Sequence, residues 1–328
     1  MRCKVSHPEV RLTNIDIAKG IGIILVVIGH CIPDATSVTG ISNPYFKILH
    51  SIIYSFHMPL FFFISGFLTN ANGCLHRIEN SFRFIKKKFH RLIVPYLFVG
   101  LCYLPLKIAF SQFANRPYDI SNLWKIIIGV NPDGELWFLY SLFIINVLVA
   151  VIFKLKVSLW IILVALLAMF SPFFHVVTNY LFYFVIGMYV RVNRRHWIYE
   201  FNSFCIILCA VVFLAGNYAL YIALSPWFKV LTSLSGIVLC LWISQLIDQN
   251  SLLLGHGLSV LGEFSMDIYI LSDIIKIPFR ILLWNKLHMY NTAFVVCTVM
   301  SLLLSYLISK YFIRKNQKLK MLVLGMQR

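Results

Sequence analysis

Residues 14–30 read NIDIAKGIGIILVVIGH, an apolar stretch with Asp16 and Lys19 near its start and His30 at its end. On an α-helix, Lys19 and His30 lie eleven positions apart, which puts them on one stripe, ~16 Å from each other along the axis. The run is apolar enough to be read as a membrane helix. Ionisable groups inside such a helix are costly unless they are paired or at work. No small-x-small cleavage pattern follows the run, so it is read as a retained first helix.

The rest of the chain has the same character. Of 328 residues 60% are hydrophobic and 12% are charged, against ~25% charged in an ordinary soluble domain. Apolar runs long enough to span ~30 Å of hydrocarbon fall at about 16–33, 46–69, 92–113, 136–153, 157–174, 176–190, 201–223, 228–247, 258–284 and 292–312. The expected fold is an all-α integral membrane protein, a bundle of about ten transmembrane helices forming a single domain over residues 1–328. With the N terminus inside, 21 of the 29 Lys and Arg residues fall on the inner side and 6 on the outer side. The positive-inside rule then places both termini in the cytoplasm. The net charge of +17 sits in short clusters between apolar runs, where it meets anionic lipid, and nucleic acid is a poor partner for it. Eight cysteines are scattered without a CxxC pair, so neither a metal site nor a disulfide framework is expected.

Two segments are not simple spans. Residues 71–91, ANGCLHRIENSFRFIKKKFHR, mix bases with Phe and Ile and read as an amphipathic linker on the cytoplasmic face. Residues 114–135, with Trp124 and NPDG, form the longest extracytoplasmic loop.

Several polar residues at membrane depth can carry chemistry. Lys19 fits either a snorkelling anchor or a bound anion. His30 fits a satisfied core histidine or a proton acceptor. In SFHMPLFFFISGFL, residues 55–68, His57 is placed at a depth similar to His30, one turn from the helix-bending Pro59. It fits a shaped cavity or a packing kink. LGEFSMDIYILSDIIK carries Glu263, Asp267 and Asp273, with Glu263 and Asp267 on one face at i, i+4. Asp273 comes level with His30, and pairing with Lys276 is its bland alternative. In KKKFHRLIVPY, Lys88, His90 and Arg91 suit phosphate groups, although topology alone also explains them.

NIDIAKGIGIILVVIGH, FHMPLFFFISGFL, KKKFHRLIVPYL, GELWFLYSLF and LGEFSMDIYIL, spread in order along the chain, together resemble the acyltransferase-3 family of bacterial inner-membrane acyltransferases, in its branch similar to fucose 4-O-acetylases. The family's most specific signature, Arg or Lys followed by ten residues and His, falls on Lys19 and His30. Its basic motif before the third helix falls on Lys88 and Arg91. Relatives commonly follow SxxIYLL with His, and this chain has Ser272 and then Asp273 there.

The resemblance implies transfer of an acyl group, most often acetyl from acetyl-CoA, to a hydroxyl of a surface polysaccharide or its lipid-linked precursor. Lys19, Lys88 and Arg91 are then expected to hold the donor phosphates. His30 is the expected general base, and His57 is expected to orient it or to aid the oxyanion. Asp273 is a candidate substitute for the missing histidine, Glu135 and Trp137 are expected to meet the sugar, and no metal is expected. Direct attack and an acyl-enzyme relay both fit. The rival reading is a transporter or flippase for a glycan precursor, since intramembrane His, Asp and Lys also mark transport paths. No duplicated half supports it.

Overall fold

A backbone in hydrocarbon has to satisfy its own N–H and C=O groups, and the continuous apolar runs do so as helices. The computed structural model describes residues 12–32, 43–69, 78–111, 120–152, 159–168, 175–193, 200–222 and 227–326. Among these residues there is no β-strand. The α-helices are α1 (Thr13–Cys31), α2 (Pro44–Leu68), α3 (Ile78–Lys88), α4 (Val94–Ala109), α5 (Trp137–Ile152), α6 (Leu159–Ala168), α7 (His175–Asn193), α8 (Ser203–Tyr221), α9 (Trp227–Asn250), α10 (Leu252–Glu263), α11 (Ser265–Phe279), α12 (Tyr290–Ile308) and α13 (Gln317–Leu324). Six helical stretches among the described residues are long and apolar enough to cross a membrane: Thr13–Cys31, Pro44–Leu68, Ser81–Ala109, Ser203–Tyr221, Phe228–Asn250 and Tyr290–Ile313. Shorter apolar helices cover Gly134–Ala150 and Leu252–Glu263.

One sequence expectation is extended and another is revised. The basic segment before the third span is helical from Ile78, and α3 continues through a π-turn at Phe89–Ile93 into α4. Residues 71–77 of that segment lie outside the described residues. Pro95 accounts for the wide turn: it has no N–H to donate, its ring crowds the preceding turn, and the Val94 N–H reaches back to the Phe89 carbonyl. The ninth apolar run is two helices, since α10 ends at Glu263 and α11 starts at Ser265. Glu263 is exposed and Asp267 is fully buried, so they do not share a helical face.

The chain forms two compact units. The first comprises Met1–Gly22, Tyr54–Ile85 and Val147–Glu263, and the second Ile23–Ile53, Lys86–Asn146 and Phe264–Arg328. In the first unit small residues bring helix backbones into contact, the packing device available where lipid removes any hydrophobic drive between helices. A Cβ on Gly20 would lie 2.1 Å from the Leu258 carbonyl oxygen, and one on Gly262 would lie 1.8 Å from the Asp16 carbonyl oxygen. The α1 and α10 backbones therefore touch through glycines from both sides. Gly66 and Gly187 join α2 to α7 in the same reciprocal way. Phe204, Ile207, Leu208, Val211 and Leu214 of α8 are exposed, as expected of a lipid-facing helix.

In the second unit, the segment after α4 is pinned to that helix. The Tyr96 hydroxyl donates to the Ile126 carbonyl (2.9 Å), the Asn131 amide donates to the Tyr96 carbonyl (2.8 Å), and Lys107 donates to the Pro132 carbonyl (2.8 Å). The expected outer loop thus has order of its own, as 3-10 turns over Ile120–Ile128 and Gly134–Leu136.

Gly262 and Gly257 lie on the same helix, and nothing stands within 4 Å of a Cβ at Gly257. Gly262→Ala should lower the melting temperature of the detergent-solubilised protein, since overpacking costs ~1–3 kcal/mol. Gly257→Ala should leave it unchanged or raise it, because Ala is favoured over Gly in a helix by ~1 kcal/mol. Equal melting of the two variants would contradict the backbone contact.

Candidate active site

His30 lies in the last turn of α1, where its Nε2 stands 2.9 Å from Oε2 of Glu135. Its Nδ1 is buried and has no hydrogen-bond partner among the described residues. Glu135 is delivered by the short 3-10 turn Gly134–Leu136, whose N-cap is Asp133. The Glu135 N–H donates to Asp133 Oδ1 (3.1 Å), and the Asp133 N–H donates to Asn131 Oδ1 (2.9 Å). Each acceptor fixes the next residue, ending at the carboxylate against His30.

Helix α11 supplies the other side. Asp273 pairs with Lys276 one turn on and accepts from the Tyr103 hydroxyl of α4 at 3.2 Å. The Lys276 ammonium also donates to the His30 carbonyl at 3.3 Å, which places a cation at the C-terminal end of α1 where the helix dipole favours one. Tyr269 donates to the Glu135 carbonyl. Donor atoms of His30, Glu135 and Asp273 lie within 4.8 Å of one another. These three have the reach to hold a divalent cation, but Lys276 already supplies the positive charge at Asp273.

Sequence reasoning placed Asp273 level with His30, and their donor atoms lie within 4.8 Å of each other. It offered pairing with Lys276 as an alternative to a site role, and the structure contains both arrangements. It assigned Glu135 to a sugar, whereas the carboxylate lies on His30. Trp137 opens α5 and packs edge-on against Phe138 at 6.4 Å. Tyr103, Asp133 and Tyr269 were not singled out, although NPDG and the motif DIYIL contain the latter two.

A second polar cluster sits nearer the start of α11. Fully buried Asp267 accepts from Ser309 (2.5 Å) and from Nε of Arg314 (2.7 Å), and the Arg314 guanidinium stacks 3.6 Å from the Phe264 ring centroid. Arg91 donates to the Leu324 carbonyl at the end of α13 (2.5 Å). The left-handed Gly325 (φ 62°) follows, so close that a Cβ there would lie 2.2 Å from the His90 carbonyl oxygen. Lys88 is half-buried at the end of α3, one residue before the π-turn. Arg314 joins Lys88 and Arg91 as a base that sequence reasoning did not single out.

The remaining expected residues belong to the first unit. Lys19 pairs with Asp16 at 2.7 Å. His57 is buried in α2 with its ring edge-on to Tyr54 at 4.8 Å, and the helix continues through Pro59. The six described cysteines are all unpaired.

Residues 12–310 match a family model described as an acyltransferase domain. The chain is 32% identical over 167 residues to nodulation protein NolL of Mesorhizobium japonicum, a match that covers 48% of this chain and 41% of that protein. It is 34% identical over 132 residues to nodulation protein NolL of Sinorhizobium fredii, covering 38% of this chain and 32% of that protein. The chain thus spans less than half the length of the curated relatives it matches. No solved structure is significantly similar to it.

Asp133 lies outside the spanning helices. Its Oδ2 is buried without a hydrogen-bond partner among the described residues. Burial first, then the neighbouring Asp273 and Glu135 carboxylates, hold its carboxyl well above the usual carboxylate range. Folding therefore takes up a proton at this site, and stability falls as pH rises from the ordinary carboxylate range through the raised value. Asp133→Asn keeps an acceptor for the Glu135 N–H and removes the charge. It should melt at or above the wild-type temperature at pH 8, with the difference shrinking toward pH 5; a variant less stable at pH 8 would contradict this assignment.

Proposed function

The chain belongs to the acyltransferase-3 domain family, and on that footing we propose that it is a membrane O-acyltransferase that moves an acetyl group from acetyl-CoA to a sugar hydroxyl of a surface polysaccharide or its lipid-linked precursor. The observation that carries this reading is the divided imidazole of His30, with Nε2 held by Glu135 and Nδ1 unclaimed. A carboxylate on one ring nitrogen fixes the tautomer with the proton on that nitrogen and leaves the other as a base.

In the proposed reaction the sugar hydroxyl attacks the thioester carbonyl carbon while His30 Nδ1 takes its proton. Glu135 stabilises the imidazolium that forms. Collapse of the tetrahedral intermediate breaks the carbon–sulfur bond, and the imidazolium returns the proton to the departing coenzyme A thiolate. General base catalysis of this kind is worth ~10²- to 10⁴-fold. Glu135 therefore serves His30 in this reading, in place of the sugar contact that the sequence suggested. Asp273 and Lys276 hold the end of α1 that carries His30.

Lys88 and Arg91 are assigned to the donor phosphates, with Arg314 beside them. The sequence resemblance adds Lys19 to that set and His57 as an aid to the oxyanion. Trp137 is retained as a sugar contact. The protein is read as a multi-pass protein of the bacterial inner membrane with ten spans, both termini on the donor side, and no metal.

His30→Ala should insert normally and leave the surface glycan without O-acetyl groups, read by mass spectrometry of the glycan from a complemented deletion strain. Glu135→Gln should lower kcat ~10²-fold or more with little change in the KM for acetyl-CoA. Normal acetylation in the His30→Ala strain would remove the base from the mechanism. Lys88→Ala should raise the KM for acetyl-CoA about tenfold and leave kcat within twofold, since a phosphate contact far from the reacting carbon binds ground and transition states alike. A fall in kcat alone would instead tie Lys88 to the chemistry.

A further inference from the structure

Beyond the His30 cluster, the second unit has a pocket of about 430 Å³ between the start of α2, the π-turn Arg280–Lys286 and the start of α12. Its walls combine the aromatic rings of Phe46, Trp284 and Tyr290 with the polar side chains of Asn43, Asn291 and Thr292. His288 and Met289 complete the lining, which contains no Lys, Arg, Asp or Glu.

The pocket is held in shape. Trp284 is buried and meets Tyr290 edge-on at 5.0 Å. Phe46 packs on Phe294 at 5.1 Å. His288 is the one non-glycine residue with a positive φ (54°) among the described residues, and its Nδ1 lies 3.3 Å from the Tyr290 hydroxyl. A non-glycine residue in this region is strained, and such strain concentrates where a side chain has to be presented in a fixed direction.

We propose that this pocket is a neutral-carbohydrate subsite that holds a sugar unit of the acceptor away from the unit being modified; the inference rests on the acyltransferase reading above. Aromatic faces cover the apolar face of a pyranose ring, while amide, hydroxyl and imidazole groups exchange hydrogen bonds with its hydroxyls. The volume lies in the range of small-molecule sites, ~300–1,000 Å³. The lack of full charge argues against a phosphate headgroup, which selects Arg or Lys. The position fits as well. Trp284 follows Lys276 by eight residues along one continuous helical path, roughly 12 Å along the axis. An acceptor reaching from His30 to this pocket is an oligosaccharide, and a monosaccharide spans only one of the two places.

The test uses the purified full chain in lipid nanodiscs, without acetyl-CoA, on an array of neutral oligosaccharides of one to five units. Oligosaccharides of two or more units should be retained and monosaccharides not, and retention should fall at least tenfold in Asn291→Ala/Thr292→Val. Tyr290→Phe, which removes only the hydroxyl that faces His288, should weaken retention at an unchanged melting temperature. Failure to retain any neutral oligosaccharide, or equal retention by the wild type and both variants, would overturn the subsite. So would displacement by phosphatidylglycerol vesicles, which would make it a lipid-headgroup site. Transfer of labelled acetyl from acetyl-CoA in the same preparation tests the reaction separately: transfer without length-dependent retention removes the subsite alone, and retention without transfer removes the reaction alone.

Discussion

The contact between His30 and Glu135 is the interaction around which the second unit is organised. An imidazole buried at the end of a membrane helix needs a partner for the nitrogen that carries its proton. Glu135 is that partner, and a chain of backbone and side-chain hydrogen bonds through Asp133 and Asn131 to Tyr96 of α4 holds it in place. The pinned 3-10 segment, the ammonium of Lys276 on the His30 carbonyl and the Tyr269 hydroxyl on the Glu135 carbonyl all converge on the same pair. Several elements distant in sequence thus meet at one imidazole, and a shift in any of them reaches its ring.

Charge balance in this cluster follows from the same constraint. Three carboxyl groups stand near one another with one lysine and one histidine among them. A low-dielectric interior does not tolerate that many negative charges. Lys276 and Tyr103 satisfy Asp273, His30 satisfies Glu135, and burial together with the neighbouring carboxylates holds the Asp133 carboxyl above its ordinary range. Near the start of α11 the same logic appears in plainer form, with Asp267 fully buried between a serine hydroxyl and a guanidinium.

Much of this was legible in the residues. Continuous apolar runs read directly as helices, because in lipid the backbone has no alternative. The depth of His30 and Asp273 followed from rise per residue, and their donor atoms come within 4.8 Å of each other. The use of Glu135 was not legible, because the sequence marks it as a loop residue after NPDG and gives no sign that Asn131 and Tyr96 draw that loop onto α4. The break at Phe264 escaped for a related reason: no Pro follows it, the nearby Gly262 is used for packing on α1 and not as a left-handed cap, and apolar periodicity runs through it. Arg91 and Lys19 each have a partner, the Leu324 carbonyl far along the chain and Asp16 one turn back. Pairings between remote segments are the part that linear spacing cannot supply.

The π-turns at Phe89–Ile93, Arg280–Lys286 and Ser309–Ile313 have a bearing on how such a chain tolerates insertion and deletion. Each can be regarded as an ordinary helix with surplus residues looped into one turn. Removing the surplus residue restores the regular pitch and leaves the helix on either side close to its present heading, whereas removing one from a regular turn rotates everything beyond it by ~100° about the axis, one residue's share of a 3.6-residue turn. At the first of these turns, a one-residue change in length is taken up between α3 and α4 while both keep their faces. These short stretches are therefore where the chain can lose a residue without reorienting what lies on either side.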